Sequence, residues 1–388
     1  MNDPAARTIE ILSALIAHPT VSRDSNLGMI EWIQDYLDRH GVTGQLIYDS
    51  ERRKANLWAT VGPDTDDGVV LSGHTDVVPV DGQAWCSDPF RAEQRDARVF
   101  GRGACDMKGF IACVLAQVPA WKQQALKRPM HLAFSYDEEL GCLGIRGLIE
   151  YMKANGRKAS GCIVGEPTGM EVVVAHKGCL CIHGGVHGRA AHSSLTPRGV
   201  NAIDYAARMI DYVRELATRE AQQGQQQAGF DVPFSTLATT TIQGGTAVNI
   251  IPEHCRFSVD YRYLPGANPQ RILRAIEARG AQLSAEMQSI APETGIELQH
   301  ETWALPFEAD VNAAWTALVK RLLPRDRTRN VAYGTEAPYF QGTDIPTVVC
   351  GPGSMEHAHQ ANEYVALEQL SACGSFLEGL GQKLCSAG

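Results

Sequence analysis

Leu71-Ser72-Gly73-His74-Thr75-Asp76-Val77-Val78-Pro79 is the stretch that decides how this chain folds. Val69, Val70 and Leu71 read as the end of a buried strand; Gly73 opens the backbone, and a histidine and an aspartate follow two positions apart. In an extended chain that spacing sets both side chains on one face. His74 can then bind a metal through one ring nitrogen while a carboxylate orients the other. A His-x-Asp after a strand is more often a surface loop than a site. It gains weight here because further acidic and imidazole groups follow later in the chain, each after a strand.

Outward from that stretch, residues 5–18 and 27–40 carry apolar positions at helical spacing, and Gly41 closes the second helix. Strands are expected at 44–48, 55–61, 68–73, 130–134 and 161–165, with helices at 109–118 and 143–155. Strands alternating with helices, with polar residues gathered after the strands, indicate an α/β sheet whose ligands lie beyond the strands' carboxyl ends. The pattern changes near Lys177-Gly178. Strands at 179–186, 236–242, 256–263 and 297–302, with helices at 201–215 and 269–279, make an inserted α+β unit of two helices and four strands. The first pattern then returns with a helix at 313–322, a buried strand at 346–350, a glycine loop reaching His359 and a closing helix at 367–380. The expected division is 1–178 and 304–388 for one domain and 179–303 for the insert, in keeping with 388 residues, too many for one comfortable core.

Composition narrows the function classes. The chain is 44% hydrophobic and 20% charged, as in ordinary globular proteins. A net charge of −9 and a pI near 5.8 argue against nucleic acid or an anionic membrane as partner. No apolar run approaches the roughly 20 residues of a membrane span, and Met1-Asn2-Asp3-Pro4 shows no secretory leader. Eleven cysteines, scattered and several of them in apolar runs, read as reduced thiols of a cytoplasmic protein.

The candidate ligands, in order, are His74, Asp106, Glu138, Glu139, Glu166 and His359. Asp106 lies in Gly101-Arg102-Gly103-Ala104-Cys105-Asp106-Met107-Lys108-Gly109, where glycines let the backbone bend tightly; taken alone it would be a helix cap. Asp137-Glu138-Glu139 follows the strand at 130–134, and such a triplet is usually a solvated loop. Facing a cleft, however, the carboxylates repel one another unless a cation neutralises them. Glu166 ends the next strand, and His359 follows the strand at 346–350. Imidazole and carboxylate together suit Zn²⁺, Co²⁺ or Mn²⁺. Two ions sharing one carboxylate would make a hydrolytic centre.

The set GHTDVVP, GRGACDMKG, DEELG, GEPT, HKG, AAHSS, RGVNAI and GPGSMEHAH resembles the dinuclear-zinc M20 aminoacylase/carboxypeptidase family across nearly the whole chain. The resemblance implies a zinc-binding α/β catalytic domain with an inserted α+β lid and dimerisation domain, a homodimer, and two Zn²⁺ per subunit replaceable by Co²⁺. It further implies one metal on His74, Asp106 and Glu166 and the other on Asp106, Glu139 and His359, with Asp106 bridging. Glu138 would be the general base, Asp76 would orient His74, and His357 would be no ligand. His192 would hydrogen-bond the developing oxyanion, in its own or a partner subunit's site. Asn249 and Arg262 would hold a substrate carboxylate, although Arg262 could equally form a strand-surface ion pair. Cys105, beside the bridging aspartate, departs from the expected pattern as a thiol open to oxidation or metal.

The expected reaction is hydrolysis of an N-acyl amino acid, N2-acetyl-L-ornithine giving L-ornithine and acetate, a step of arginine biosynthesis. Glu336, in Gly334-Thr335-Glu336-Ala337-Pro338, would meet the substrate's side-chain ammonium. The alternatives are a succinyl-diaminopimelate desuccinylase, a broad aminoacylase or dipeptidase, or a non-catalytic binding protein of the same fold.

Overall fold

Every residue of the strands Val69–His74 and Met130–Ser135 is buried, the near-continuous apolar pattern of parallel strands covered on both faces. They belong to a computed structural model that describes residues 4–325 and 327–385; Met1, Asn2 and Asp3, read above for a leader, lie outside the described residues. The described chain forms two compact units. The first takes in the chain up to Val174, Glu308–Arg329 and the chain from Thr335; the second is Ala175–Phe307 with Asn330–Gly334.

In the first unit the sheet order begins Gly44–Tyr48, Ala55–Val61, Met130–Ser135, Val69–His74, Gly161–Val164, Thr347–Val349. The last four are mutually parallel, so their carboxyl ends open on the same edge. The helix after Asp106 runs Lys108–Gln123 and so continues past the expected end at Val118, through Pro119. A proline there removes the N–H that would bond the carbonyl four residues back. The Tyr36 hydroxyl donates to that carbonyl, Leu115 O, at 3.1 Å, and the helix survives. A second sheet of three short strands, Glu93–Arg95, Arg98–Phe100 and Tyr364–Ala366, was not expected from the sequence. Runs of three residues are too short to show alternation.

The second unit is an antiparallel sheet in the order Thr236–Gly244, His254–Tyr263, Gly178–His187, Gly295–Ala304. Its two helices, Ala202–Gln223 and Pro269–Gln288, are capped by Asn201 and Asn268, whose side chains accept from the first-turn amides. Leu180, Ile182 and Val186 pack on Met209, Val213, Ile276 and Leu283. The residues alternating with them, among them His183, sit on the opposite face. A two-residue pairing of Ala191–His192 with Ile250–Ile251 was also missed. The eleven cysteines form no disulfide, and among the described residues no helix is long and apolar enough to cross a membrane.

Candidate metal centre

The parallel strand ends of the first unit gather the acidic and imidazole groups singled out above. His74 is the last residue of its strand and 1% exposed. Its Nδ1 donates to the Asp76 carbonyl at 2.9 Å, which turns Nε2 towards the acidic cluster. That Nε2 lies 2.9 Å from Asp106 Oδ1 and 3.8 Å from Glu166 Oε1. On the other side, His359 Nε2 lies 3.1 Å from Asp106 Oδ2 and 3.0 Å from Glu139 Oε1. Asp106 therefore presents one oxygen to each imidazole. Two overlapping groups, His74 with Glu138 and Glu166, and His74 with Asp106 and Glu139, each offer three ligand atoms within 4.8 Å of one another.

Asp106 does not cap the following helix: Met107 stands at the cap, without a side-chain bond. The carboxylate is directed at the two histidines instead, and the Asp106–Met107 peptide is cis. His359 adopts the left-handed conformation with φ 60°, uncommon outside glycine and concentrated at functional positions. Of the acidic triplet, Asp137 turns away to pair with Lys54 Nζ at 2.6 Å. His357 bonds Tyr364 Oη through Nε2 at 2.9 Å and takes no part in the cluster. Cys105 donates to the Ser354 carbonyl at 3.2 Å; burial, with the charges of Glu363 and Asp106, holds its thiol well above the usual range. It is not a thiolate.

Asp76 ties the arrangement together. Its Oδ2 accepts from Ser22 Oγ at 2.6 Å and from the Glu139 amide at 3.3 Å, and its Oδ1 accepts from the Glu138 amide at 3.1 Å. A second support, Glu363, escaped the sequence reading. It is 1% exposed, accepts from the amides of Cys105 and Asp106 at 2.9 and 3.0 Å, and pairs with buried Arg102 Nη1 at 2.6 Å. It carries no local signal, because its partners lie more than 250 positions away.

The electrostatics are those of crowded anions. Burial lifts Glu138 and Glu166 well above the usual carboxyl range, and Asp106 adds to both. Burial also raises Glu139, with Asp106 next. For Asp106 itself, burial is outweighed by the bonds from His359 and His74, which hold it far below the usual range. Burial would depress His359, but its bonds to Asp106 and Glu139 push it up to about 11. Glu166 Oε1 has no hydrogen-bond donor although it is buried. Such an orphaned anion is costly unless a cation meets it. The donor set fits a pair of divalent ions.

Glu336 is 1% exposed beneath the same strand ends, with Ser72 Oγ 3.4 Å from its Oε2 and Oε1 without a partner. Burial pushes it up to about 7. The remaining candidates belong to the second unit. His192 is exposed; its Nδ1 meets Ser194 Oγ at 2.7 Å, and the Asn249 carbonyl accepts from the Ser193 amide at 2.9 Å, so His192 and Asn249 share one loop pair. Arg262 forms the ion pair weighed above, with Nε 2.8 Å from Asp260 Oδ1 and Nη2 3.0 Å from Oδ2.

Residues 70–383 match the model of peptidase family M20/M25/M40, and the chain belongs to that family of metal-dependent hydrolases. It is 32% identical to an acetylornithine deacetylase of Myxococcus xanthus over 389 residues, 97% of each chain. It is 33% identical to one of Pasteurella multocida strain Pm70 over 386 residues, 97% of this chain and 98% of the other. Among solved structures, an M20 family metallo-carboxypeptidase of Sulfolobus solfataricus superposes with a TM-score of 0.78 at 18% identity, over 99% of this chain and 100% of that one. A dinuclear metal binding M20 peptidase of Bacillus subtilis gives 0.65 at 16%, over 97% of each. The chain thus has the M20 fold, a mixed α/β architecture, and is a hydrolase.

Proposed function

We propose that this protein cleaves N2-acetyl-L-ornithine into L-ornithine and acetate with two metal ions. The observation that carries the two-metal reading is Asp106, whose two oxygens face two different imidazoles at 2.9 and 3.1 Å. One carboxylate shared between two cations needs that division. His74, Asp106 and Glu166 would hold one ion and Asp106, Glu139 and His359 the other; we assign zinc, with cobalt able to replace it. When bound, the ions polarise the amide carbonyl and make water a stronger nucleophile.

The protein's own part is positioning and proton transfer. Glu138 takes the proton from the attacking water as the carbon–oxygen bond forms, then gives it to the amine as the carbon–nitrogen bond breaks. Its carboxylate stands in the cluster with His74 and Glu166, within 4.8 Å of their ligand atoms, where such a proton relay is needed. Asp76 holds His74 and the Glu138–Glu139 backbone in one register. His192 stabilises the oxyanion. Asn249 and Arg262 hold the substrate carboxylate: Asp260 engages Nε and Nη2, and a guanidinium has further N–H groups to offer. Glu336, with its unpartnered Oε1, receives the ornithine ammonium. The substrate assignment rests on the relatives' names and on this acidic group; the second unit is assigned as lid and dimerisation domain of a cytoplasmic homodimer.

Release of the free amine, common to all three substrates, tests the reading when N2-acetylornithine, N-succinyl-diaminopimelate and N-acetylmethionine are each offered to metal-free protein with and without Zn²⁺ or Co²⁺. Restored activity strongest on acetylornithine is expected. Preference for another substrate would move the specificity within the family. No activity with metal bound would leave a non-catalytic binding protein.

A further inference from the structure

The second unit carries its own cluster of metal-binding side chains. His187 ends the strand Gly178–His187, and His254 begins the strand His254–Tyr263. The two are direct partners in the antiparallel ladder, its terminal pair. Their rings tilt together with centroids 4.9 Å apart, and their Nδ1 atoms are 3.3 Å apart. Glu253 precedes His254 and sets Oε2 3.9 Å from His254 Nε2. His187, Glu253 and His254 each offer one ligand atom, all within 4.8 Å of one another.

We propose that His187, His254 and Glu253 form a further binding site for a divalent transition-metal ion, in the class of Zn²⁺, Ni²⁺ or Cu²⁺. Imidazole nitrogen with one carboxylate oxygen suits those ions and not Mg²⁺ or Ca²⁺. The spacing agrees: two nitrogens about 2.0–2.1 Å from a tetrahedral zinc stand about 3.3–3.4 Å apart. The strands hold the two histidines directly opposite each other before any ion arrives. The amide of Gly188 donates to the Glu253 carbonyl at 2.6 Å, locking the register immediately beside the pair. A Cβ at Gly188 would fall 2.1 Å from the Val200 carbonyl, so the chain turns there against fixed backbone. Glu253 and His254 are exposed, so an ion can enter, and solvent water completes its coordination. The site is built wholly within the second unit and shares no residue with the centre at the strand ends.

Full-length protein and the His187→Asn/His254→Asn double variant, equilibrated in one zinc buffer, would have bound zinc counted per chain by elemental analysis. The variant is expected to lose one equivalent while amide hydrolysis is unchanged. Because the count is a difference, it stands whatever the loading or the reaction of the other centre. Equal counts would overturn the proposal. A second measurement does not depend on the double variant folding: Cu²⁺, which binds an imidazole site more tightly than zinc, should displace zinc from this exposed pair in the zinc-loaded wild-type protein and give an electron paramagnetic resonance spectrum with two-nitrogen hyperfine structure. His187→Asn should remove one of those nitrogens. A wild-type spectrum without nitrogen coupling would equally overturn the site.

Discussion

Glu363→Gln probes the support of Asp106, the carboxylate proposed to bridge the two ions. The native carboxylate is buried against Arg102, itself 1% exposed, and accepts two amides. The amide side chain can still accept from Cys105 and Asp106 but leaves Arg102 without its counter-charge. Breaking one side of a buried pair costs about 3–5 kcal/mol. Arg102 keeps neutral acceptors in Gln83 and in the carbonyls of Pro79 and Gln360, so the low end, about 3 kcal/mol, is expected. That is more than a hundredfold, roughly, in a local opening equilibrium. Hydrogen exchange of the Cys105 and Asp106 amides in metal-free protein reads it directly. Zinc affinity should fall about 10–100-fold, as when an outer partner of a ligand is lost. Amide exchange within about twofold of wild type, with unchanged zinc affinity, would refute the idea that Glu363 sets Asp106.

Three other outcomes are expected. Glu138→Gln should lower kcat by about 10²–10⁴ while elemental analysis finds bound zinc retained; loss of metal with activity would make Glu138 a ligand rather than the base. Glu336→Gln should raise KM for N2-acetylornithine and leave that for N-acetylmethionine alone; parallel changes in both would remove its role in binding the ammonium. His131 is 1% exposed, bonds Thr60 Oγ1 at 3.0 Å and is pushed down to about 4 by burial. The unfolded chain therefore binds the extra proton first: stability is complete above about pH 6.5 and falls towards pH 4, by up to about 3 kcal/mol. His131→Gln should flatten that part of the urea-midpoint profile against pH, and an unchanged slope would show that His131 is not its source.

How much of this was readable in the sequence follows from how local each signal is. His74, Asp106, Glu139, Glu166 and His359 could be picked out because each follows an apolar strand or a glycine-rich bend within a few residues. What they do together was readable only through the family resemblance, since nothing in spacing tells that Asp106 faces both histidines. Glu363 and Arg102 stayed hidden because a buried ion pair between distant segments leaves no periodicity. The extension of the Lys108–Gln123 helix beyond Pro119 was hidden for the same reason, since it depends on a hydroxyl from another helix.

The division of the first unit by the second has a kinetic consequence. His74, Asp106, Glu138, Glu139 and Glu166 all precede Ala175, whereas the strand Thr347–Val349, His359 and Glu363 follow Gly334. A chain leaving the ribosome therefore carries the crowded carboxylates through the synthesis of the whole second unit before the segment that covers them exists. Pairing across such separation is slow to form, and half-finished sheets with open edges are the species that aggregate. The proposed ligands of one ion, His74, Asp106 and Glu166, are thus made before the second unit, whereas the other proposed ion waits for His359, so the pair is complete only late in synthesis.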